Sequence, residues 1–424
     1  MCIEVISRKA GIVKVSKNLI VGMTFPKQDI TLGLEPSVLT VLPDGDNVRY
    51  SMANGDEFND NDVMYYVCSV YITGMREFFE WSKRHDKSKI IVGGYEPTIN
   101  PGDFTEYASR VMIGPCDDFY ASLAQEGQVI HGITNYKKIP RYDLYDVRNN
   151  QQIIPDKLKD DICTSINTSQ GCPFKCDFCC SPLMCDHIIS KPLDAVRKEV
   201  EYLKQHNAKY IFIRDENFPL QSDWKEKLQI INTLSAKIYL FASANLCTED
   251  TVRFMKENGV YMICLGLEDI TVDYRKNDRL VEVCNRLHRY GIFVYLSFII
   301  NPLKVNTEKS STQFYNRLLE RVHELKPEMV CGNFLMPFRG TKIWDDYKDI
   351  VTEEDFSEYD SKSAFLEKDK VIRAEIEYRM FEFQHNYYHS EFYSKNCREF
   401  RDDDTLGLRF KELEDTFRQH RKIW

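Results

Sequence analysis

Short apolar runs alternate with polar and amphipathic stretches through the first third of the chain. The apolar runs predict strands, and the stretch Met75–His85 between the second and third of them predicts a helix. The predicted strands are Leu19–Thr24, Val63–Ser69, Ile90–Gly94 and Arg110–Gly114. Because strands that alternate with helices pair in parallel, this part predicts an α/β domain with a doubly wound parallel sheet.

The pattern changes after residues 132–161, a polar stretch with two prolines that we interpret as a linker. Six further apolar strands follow, each separated from the next by an amphipathic helical stretch. The strands are predicted at Ser165–Thr168, Tyr210–Ile213, Ile238–Ala242, Tyr261–Leu267, Phe293–Ile300 and Met329–Phe334, and the helices at Leu193–Gln205, Ser222–Leu234, Glu249–Asn258, Leu280–Tyr290 and Lys309–Leu325. This alternation predicts a partial (β/α)6 barrel with its functional groups at the carboxyl ends of the strands, although a second doubly wound sheet would give the same pattern.

The last part of the chain, residues 346–424, is charged and aromatic and predicts a helical extension whose aromatic residues pack as a cap or a dimer contact. We therefore expect four parts: a doubly wound domain over residues 1–131, the linker over 132–161, the barrel over 162–345 and the extension.

Composition narrows the partners and the compartment. The chain has 56 basic and 65 acidic residues, and this net charge of −9 disfavours a nucleic-acid groove. The longest apolar run, Gly291–Ile300, is too short to span a bilayer, and the N-terminus lacks the apolar core of a signal peptide. We expect a soluble, cytoplasmic protein that acts on a small molecule and contacts no membrane.

Three of the 14 cysteines stand close together, in a loop that follows a predicted strand. Cys172, Cys176 and Cys179 are spaced by four and three residues, a spacing that lets one short loop bind three corners of a [4Fe–4S] cluster. The fourth iron is then open to an external chelator such as the amino and carboxylate groups of S-adenosylmethionine (SAM). A zinc-stabilised binding module is the alternative without catalysis, with Cys180, Cys185 or His187 completing four ligands.

The segment CPFKCDFC, residues 172–179, resembles the CxxxCxxC motif of the radical SAM superfamily, including the aromatic Phe178 before the last cysteine. Three later segments are similar to the superfamily's strand ends: IFIRDENF at 211–218, LGLE at 265–268 and MPFRGT at 336–341. The resemblance implies reductive cleavage of SAM to a radical that abstracts hydrogen from substrate, and an electron donor such as flavodoxin or ferredoxin. It also implies that Phe178 packs against the adenine of SAM.

The N-terminal part resembles the cobalamin-binding domain that precedes the barrel in one class of the superfamily, on the segments DVMYYVCS at 62–69 and IIVGGYEPT at 90–98. The D-x-H-x-x-G pattern that supplies a cobalt ligand is missing, and His85-Asp86 stands in the wrong order at a helix end. Gly93 and Gly94 fit a close ligand approach or a plain turn equally well. We expect a degenerate domain that holds no cobalamin.

Polar residues at the predicted strand ends are the remaining site candidates. For SAM we select Glu216, Ser243, Asn245 and Glu268 beside Phe178, with Glu268 as the acceptor for the ribose hydroxyls. For substrate we select Asp215, Asn217, Asn301 and Asn333, each of which could instead cap a helix. Arg275 and Lys276 could meet an anion or lie on a solvated helix face.

These features predict a non-methylating radical SAM enzyme. The overall layout resembles the queuine lyases, which implies cleavage of a 7-deazaguanine. The alternative enzyme is a cobalamin-dependent methylase or ring-rearranging enzyme, which corrinoid content would distinguish.

Overall fold

The computed structural model describes residues 18–25, 38–52, 58–144, 162–271 and 279–396. These residues form two six-stranded parallel sheets and a helical C-terminal layer. The expected α/β fold, with an N-terminal parallel sheet, a partial barrel and a helical C-terminus, is confirmed.

The N-terminal sheet has the strand order β2-β1-β3-β4-β5-β6, and all its strand pairs are parallel. The strands are β1 Leu19–Phe25, β2 Val48–Met52, β3 Val63–Val70, β4 Ile90–Gly93, β5 Arg110–Ile113 and β6 Val129–His131, and the helices are α1 Val38–Val41, α2 Met75–Ser82, α3 Tyr95–Ile99 and α4 Phe119–Leu123. The chain leaves β1 towards one side and continues from β3 towards the other. In such doubly wound sheets, ligands bind outside the carboxyl ends of the strands near this reversal.

The second sheet has the order β14-β13-β12-β11-β10-β7, again with parallel pairs throughout. Its strands are β7 Ile162–Ile166, β10 Ala208–Ile213, β11 Lys237–Phe241, β12 Val260–Glu268, β13 Phe293–Ile300 and β14 Met329–Phe334, and a two-stranded antiparallel ribbon of β8 Ser169–Gln170 and β9 Ile189–Ser190 follows β7. The helices are α5 Ser181–Met184, α6 Leu193–Gln205, α7 Trp224–Asn232, α8 Glu249–Glu257, α9 Leu280–Arg289, α10 Glu308–Leu325 and α11 Lys342–Tyr347. Because each strand lies beside the next one along the chain, the sheet is a partial barrel and not a second doubly wound sheet.

Side-chain periodicity explains how the barrel is built. On β13, Val294, Leu296, Phe298 and Ile300 are fully buried towards the helices, while the residues between them are only half-buried and face the barrel lumen. Helix α9 buries residues at helical spacing against the same layer, in agreement with its amphipathic pattern.

The C-terminal layer consists of α12 Lys370–Tyr388 and α13 Glu391–Asn396, which cover the outer edge strand of the barrel. The Tyr388 hydroxyl accepts from the amide of Val330 at 2.9 Å and donates to its carbonyl at 3.0 Å, and the Tyr393 hydroxyl donates to the Glu328 carbonyl at 3.0 Å. These aromatic side chains therefore pack as a cap on β14.

Three local predictions differ from the structure. The strand predicted at Ser165–Thr168 lies earlier, at β7, because Thr168 already belongs to the turn into the ribbon. Strands β2 and β6 were not predicted, since both lie at sheet edges and their sequences are short and partly polar. The predicted linker is ordered where it is described: the amide of Gly132 donates to the Ile113 carbonyl of β5 at 2.8 Å, and the amide of Arg141 donates to the Leu39 carbonyl of α1 at 3.1 Å. Residues 145–161 lie outside the described part.

Within the described residues, no helix combines the length and the apolar character needed to cross a membrane.

Candidate functional site

The cysteine loop leaves the ribbon at the carboxyl end of β7, where functional groups of β/α barrels lie. Gly171 opens it with φ +92°, and a Cβ there would lie 2.0 Å from the His187 carbonyl oxygen, so only glycine fits. The amide of Cys172 donates to the Cys185 carbonyl at 3.1 Å, and the amide of Cys179 donates to the Cys176 carbonyl at 3.1 Å. These two backbone bonds tie the loop to the segment that follows it and close a turn within it.

The three predicted cluster ligands differ in exposure: Cys172 is buried, Cys179 half-buried and Cys176 exposed. Across the described residues, no three His, Cys, Asp or Glu side chains are close enough to hold one metal ion. Each thiolate of a cubane binds a different iron, so a cluster needs a wider arrangement than a zinc ion. The Cys185 thiol instead donates to the carbonyl of His187 at 3.1 Å, an arrangement that does not favour the zinc alternative.

Asp215, a predicted substrate contact, lies fully buried behind the cysteine loop. Its carboxylate accepts from the Thr168 amide at 2.7 Å, the Thr168 hydroxyl at 2.6 Å, the Ser169 hydroxyl at 2.8 Å and the Gln221 side-chain amide at 2.7 Å. Burial raises the pKa of Asp215, and the bonds from Thr168 and Ser169 oppose that rise. The structure therefore makes Asp215 a positioning residue for the loop, because every one of these bonds is internal and no face of it is open to a substrate.

Three buried charged residues that the sequence analysis missed, Lys191, Glu199 and Lys227, extend this network. The Lys227 amine donates to the Thr168 carbonyl at 2.9 Å and to the Ser190 hydroxyl at 2.5 Å. Lys191 forms a buried ion pair with Glu199, whose other carboxylate oxygen accepts from the Tyr142 hydroxyl at 2.6 Å. The signal was present in the sequence, since Glu199 and Lys227 stand on the apolar faces of α6 and α7.

Glu216 follows Asp215 and faces the cysteine loop. Its Oε2 atom is buried and has no hydrogen-bond partner among the described residues. Burial raises the pKa of Glu216, and the negative charge of Asp215 raises it further. A buried acceptor without a donor is rare in folded proteins, and the amino group of SAM is a donor of the kind that would satisfy it. The loop and Glu216 thus fit a cluster with SAM.

Asn217 and Ser243 bond to each other across the ends of β10 and β11. The Asn217 side-chain amide donates to the Ser243 hydroxyl at 2.5 Å, and its oxygen accepts from the Ser243 amide at 3.0 Å. Asn217, a predicted substrate contact, thus lies beside Ser243, a predicted SAM contact, and the two side chains hold each other in place. Asn245 lies exposed on the following 3-10 turn, Ala244–Leu246.

Glu268 ends β12 in a left-handed conformation with φ +61°, which is uncommon for a residue other than glycine. The pairing with β13 shifts register between Gly266 and Glu268, so the strand bulges here. The carboxylate folds back over Gly266, where a Cβ would lie 2.1 Å from Oε1. Backbone strain of this kind collects at functional sites, and it directs the predicted ribose acceptor to the lumen face.

Asn301 and Asn333 have different surroundings. Asn301 is buried, caps the 3-10 turn after β13 by accepting from the Leu303 amide at 3.1 Å, and donates to the Tyr347 hydroxyl at 2.6 Å. Asn301 thus takes the capping role that was the alternative for this residue. Asn333 lies half-buried in the lumen and donates to the Ser297 hydroxyl at 3.0 Å. Arg275 and Lys276 lie outside the described residues.

A cleft with about 1190 Å³ of empty space, counting the part open to solvent, separates the N-terminal sheet from the first barrel strands. One wall is formed by the carboxyl ends of β3, β4 and β5, which contribute Ser69, Gly93, Gly94 and Gly114. Gly114 has φ +77°, and no atom lies within 4 Å of where its Cβ would stand, so the backbone borders open space. The opposite wall is formed by barrel residues, Asn167, Gln170, Lys191 and Arg214 among them.

The wall of this cleft combines the backbone of three glycines with polar side chains, the charged Lys191, Glu199 and Arg214 among them, and these features fit a ligand with many polar side groups such as a corrinoid. None of the described residues that line it is a histidine. His85 lies away from the carboxyl ends, bonded to Asp60 at 2.8 Å and stacked on Trp81. The residues present thus fit a corrinoid held without a histidine ligand.

Comparison with known proteins identifies the class. Residues 166–315 match the family model of the radical SAM superfamily. The chain therefore carries a radical SAM domain over these residues, and the expected resemblance to the radical SAM superfamily is confirmed.

The curated relatives share between 20% and 23% of their residues with this chain over the aligned regions. The chain is 20% identical over 329 residues to bacteriochlorophyllide d C-8(2)-methyltransferase of Chlorobaculum tepidum, an alignment that covers 69% of this chain and 70% of that protein. It is 22% identical over 311 residues to the C-12(1)-methyltransferase of the same organism, covering 66% and 65%. It is 23% identical to tRNA-2-methylthio-N(6)-dimethylallyladenosine synthase of Thermodesulfovibrio yellowstonii, covering 53% and 49%.

Solved structures share the two-domain fold. The radical SAM methyltransferase TsrM from Kitasatospora setae, with cobalamin and a [4Fe–4S] cluster bound, superposes with a TM-score of 0.56 at 13% identity, covering 78% of this chain and 75% of that chain. The cobalamin-dependent radical SAM enzyme OxsB gives a TM-score of 0.54 at 14% identity, covering 96% and 71%.

These comparisons change two expectations. Structural neighbours that contain cobalamin argue against the prediction that this domain holds none. Two relatives are named methyltransferases, so the preference for a lyase over a methyltransferase is not supported, and no comparison supports a 7-deazaguanine substrate.

Proposed function

We propose that this protein is a cobalamin-dependent radical SAM enzyme that transfers a methyl group to a small molecule. The observation that carries the proposal is the cleft between the two domains, whose sheet-side wall includes the backbone of Gly93, Gly94 and Gly114 and whose barrel-side wall adjoins the cysteine loop. Two relatives that are named methyltransferases and two structural neighbours that contain cobalamin support it.

On this proposal, Cys172, Cys176 and Cys179 hold the cluster. SAM is bound by the set predicted from the strand ends: Phe178, Glu216, Ser243, Asn245 and Glu268. When bound, the cluster supplies an electron to SAM and the corrinoid carries the methyl group.

The chain's own residues bind and orient these groups. Asp215 and Lys227 hold Thr168 and Ser169, and so fix the start of the cysteine loop. Glu216 offers a buried acceptor for the amino group of SAM, and Glu268 offers one for its ribose.

Helix α3 connects the two sites. It begins directly after Gly94 at the cleft, and its Glu96 accepts from Arg339 of the barrel at 2.7 Å. The same guanidinium donates to Asp103 at 2.6 Å. Arg339 stands just before the last barrel helix, so its two ion pairs join the barrel to the N-terminal domain. We infer that these ion pairs fix the cleft wall at Gly94 relative to the SAM site.

The external partners of the reaction remain as predicted: a small-molecule substrate, and an electron donor such as flavodoxin or ferredoxin.

The proposal is tested by loading the purified chain with iron, sulfide and hydroxocobalamin, reducing it, and adding SAM that carries a 13C-labelled methyl group. We expect S-adenosylhomocysteine to form only in the samples that contain corrinoid. Equal product with and without corrinoid, or 5′-deoxyadenosine alone in both, would reject methyl transfer through a corrinoid.

Neighbouring cysteines provide a matched control for the cluster. Cys179→Ala removes a proposed ligand, whereas Cys180→Ala changes the adjacent thiol, which lies half-buried. We expect iron content and SAM cleavage to be lost in the first variant and kept in the second.

A further inference from the structure

The barrel lumen has an aromatic wall and, facing it, a polar wall with one ammonium group. On β10 and β11 the lumen side carries Phe212 and Phe241, whose ring centroids lie 5.1 Å apart. Phe241 is 38% exposed at the end of its strand, an unusual exposure for a large apolar side chain inside a barrel. The lumen thus offers a flat apolar surface on this side.

On the opposite side, Ser297 of β13 and Asn333 of β14 are bonded to each other. Both face the lumen, because the residue next to each along its strand, Phe298 or Gly332, points outwards. A Cβ on Gly332 would lie 2.9 Å from the side chains of Met380 and Phe298. Ser297 pairs in register with Gly266, the residue that the Glu268 carboxylate covers. The polar wall therefore runs from the proposed SAM acceptor towards β14.

Lys362, which comes from the segment after the barrel, completes this wall. Its amine donates to the Gly332 carbonyl at 2.9 Å and lies 3.4 Å from both the Asn333 side-chain oxygen and the Cys331 sulfur. The backbone holds it there, since the Phe334 amide donates to the carbonyl of Ser361 at 2.9 Å.

Every one of these partners of the Lys362 amine is neutral. Among the described residues, Lys362 makes no ion pair with a carboxylate. Asp360 is nearby but accepts from the backbone amides of Lys362 and Ser363, both at 2.8 Å. A half-buried ammonium with neutral partners alone is better satisfied when an anion joins them.

We propose that Lys362, with Asn333 and Ser297, binds a carboxylate of the substrate while the aromatic wall holds its apolar body. This inference rests on the proposed function and deepens it by naming the substrate class, an aromatic or extended apolar carboxylic acid. A carboxylate fits better than a phosphate, because one ammonium and neutral donors match a single negative charge.

The test uses the full chain loaded with cluster and SAM, and the matched probes 1-naphthaleneacetate, 1-naphthaleneacetamide and 1-naphthyl phosphate, with binding followed by naphthalene fluorescence. We expect the wild type to bind the acid at least about tenfold more tightly than the amide, in line with the strength of a charge-assisted bond. Lys362→Met should abolish that preference and Lys362→Arg should retain it. Lys348→Met, at an exposed ion pair with Asp345, serves as the control variant and should behave as wild type.

Equal binding of acid and amide by the wild type, no binding of either, or a preference that survives Lys362→Met would overturn the proposal. Tighter binding of the phosphate than of the acetate would overturn its carboxylate class. Corrinoid content measured in the same samples keeps the two claims separate: an acid preference without retained corrinoid rejects only the proposed function. Far-UV circular dichroism confirms that each variant is folded.

Discussion

Asp215 offers a sharp test of how the cysteine loop is held. Replacing it by alanine removes the acceptor of four buried donors. The backbone fixes the Thr168 amide, so the loss of its acceptor should cost about 1–3 kcal/mol of stability. The two hydroxyls and the Gln221 side chain can turn to weaker neutral acceptors, which should cost about 2 kcal/mol more in total. We expect Asp215→Ala to lower the free energy of unfolding by about 3–5 kcal/mol.

The assay is urea unfolding of the cluster-free chain, followed by circular dichroism, together with iron analysis after reconstitution. Because the first cluster cysteine, Cys172, stands three residues after Ser169, we expect Asp215→Ala to lose most of its iron, and Asp215→Asn, which keeps the shape, to fall between alanine and wild type. Asp250→Ala, at an exposed helix pair with Arg253, is the control and should change stability by less than about 0.5 kcal/mol. Unchanged iron content, or a loss below about 1 kcal/mol for Asp215→Ala, would refute the reasoning.

Further predictions concern the loop entry, the clamp between domains and a pH-sensitive pair. Gly171→Ala places a Cβ 2.0 Å from the His187 carbonyl, so we expect iron binding to fail while the fold survives. Arg339→Leu leaves Glu96 buried without its ion pair, so we expect a loss of about 3 kcal/mol in thermal or urea unfolding. Burial alone would raise the pKa of Asp60, but its hydrogen bonds, above all the one with His85, lower that pKa below its ordinary value. Asp60→Asn should therefore destabilise the protein at neutral pH.

The pH dependence has a definite sign. A carboxyl whose folded pKa is lowered contributes stability above its ordinary pKa and loses that contribution as the pH falls through the lowered value. The difference between Asp60→Asn and wild type should therefore disappear in acid, and a difference that grows in acid would contradict the assignment. Full iron loading of Gly171→Ala, or an Arg339→Leu variant as stable as wild type, would contradict the other two predictions.

Strand and helix positions in the barrel were predictable because each strand is a short apolar run and each helix carries one apolar face. The cysteine loop was predictable for a different reason, since its residues are adjacent in sequence. The substrate candidates were not, because a polar residue at a strand end gives no sign of its partner. Asn217 and Asn301 illustrate this: one pairs with a neighbouring strand end and the other caps a turn.

The cleft was missed because it forms between two domains. The sequence left Gly93 and Gly94 between a close ligand approach and a plain turn and placed Gly114 at a strand end, and only the packing of the N-terminal sheet on the barrel shows that all three border a shared space. The absence of the D-x-H-x-x-G pattern does not exclude a corrinoid, since such a ring can be held by backbone and polar groups without a histidine ligand. Lys362 lies far from the barrel strands in sequence, and only its contacts with β14 reveal it.

Corrinoid retention tests the central claim most directly. The chain is incubated with hydroxocobalamin, passed through a gel-filtration column, and its corrinoid absorbance is measured against protein. Gly114→Leu fills the cleft, and Gly127→Leu is matched to it, since Gly127 has a similar left-handed φ of +95° but does not line the cleft. We expect stoichiometric corrinoid in the wild type and in Gly127→Leu, and little in Gly114→Leu; a wild type that elutes without corrinoid, or a Gly114→Leu variant that retains it fully, would contradict the account.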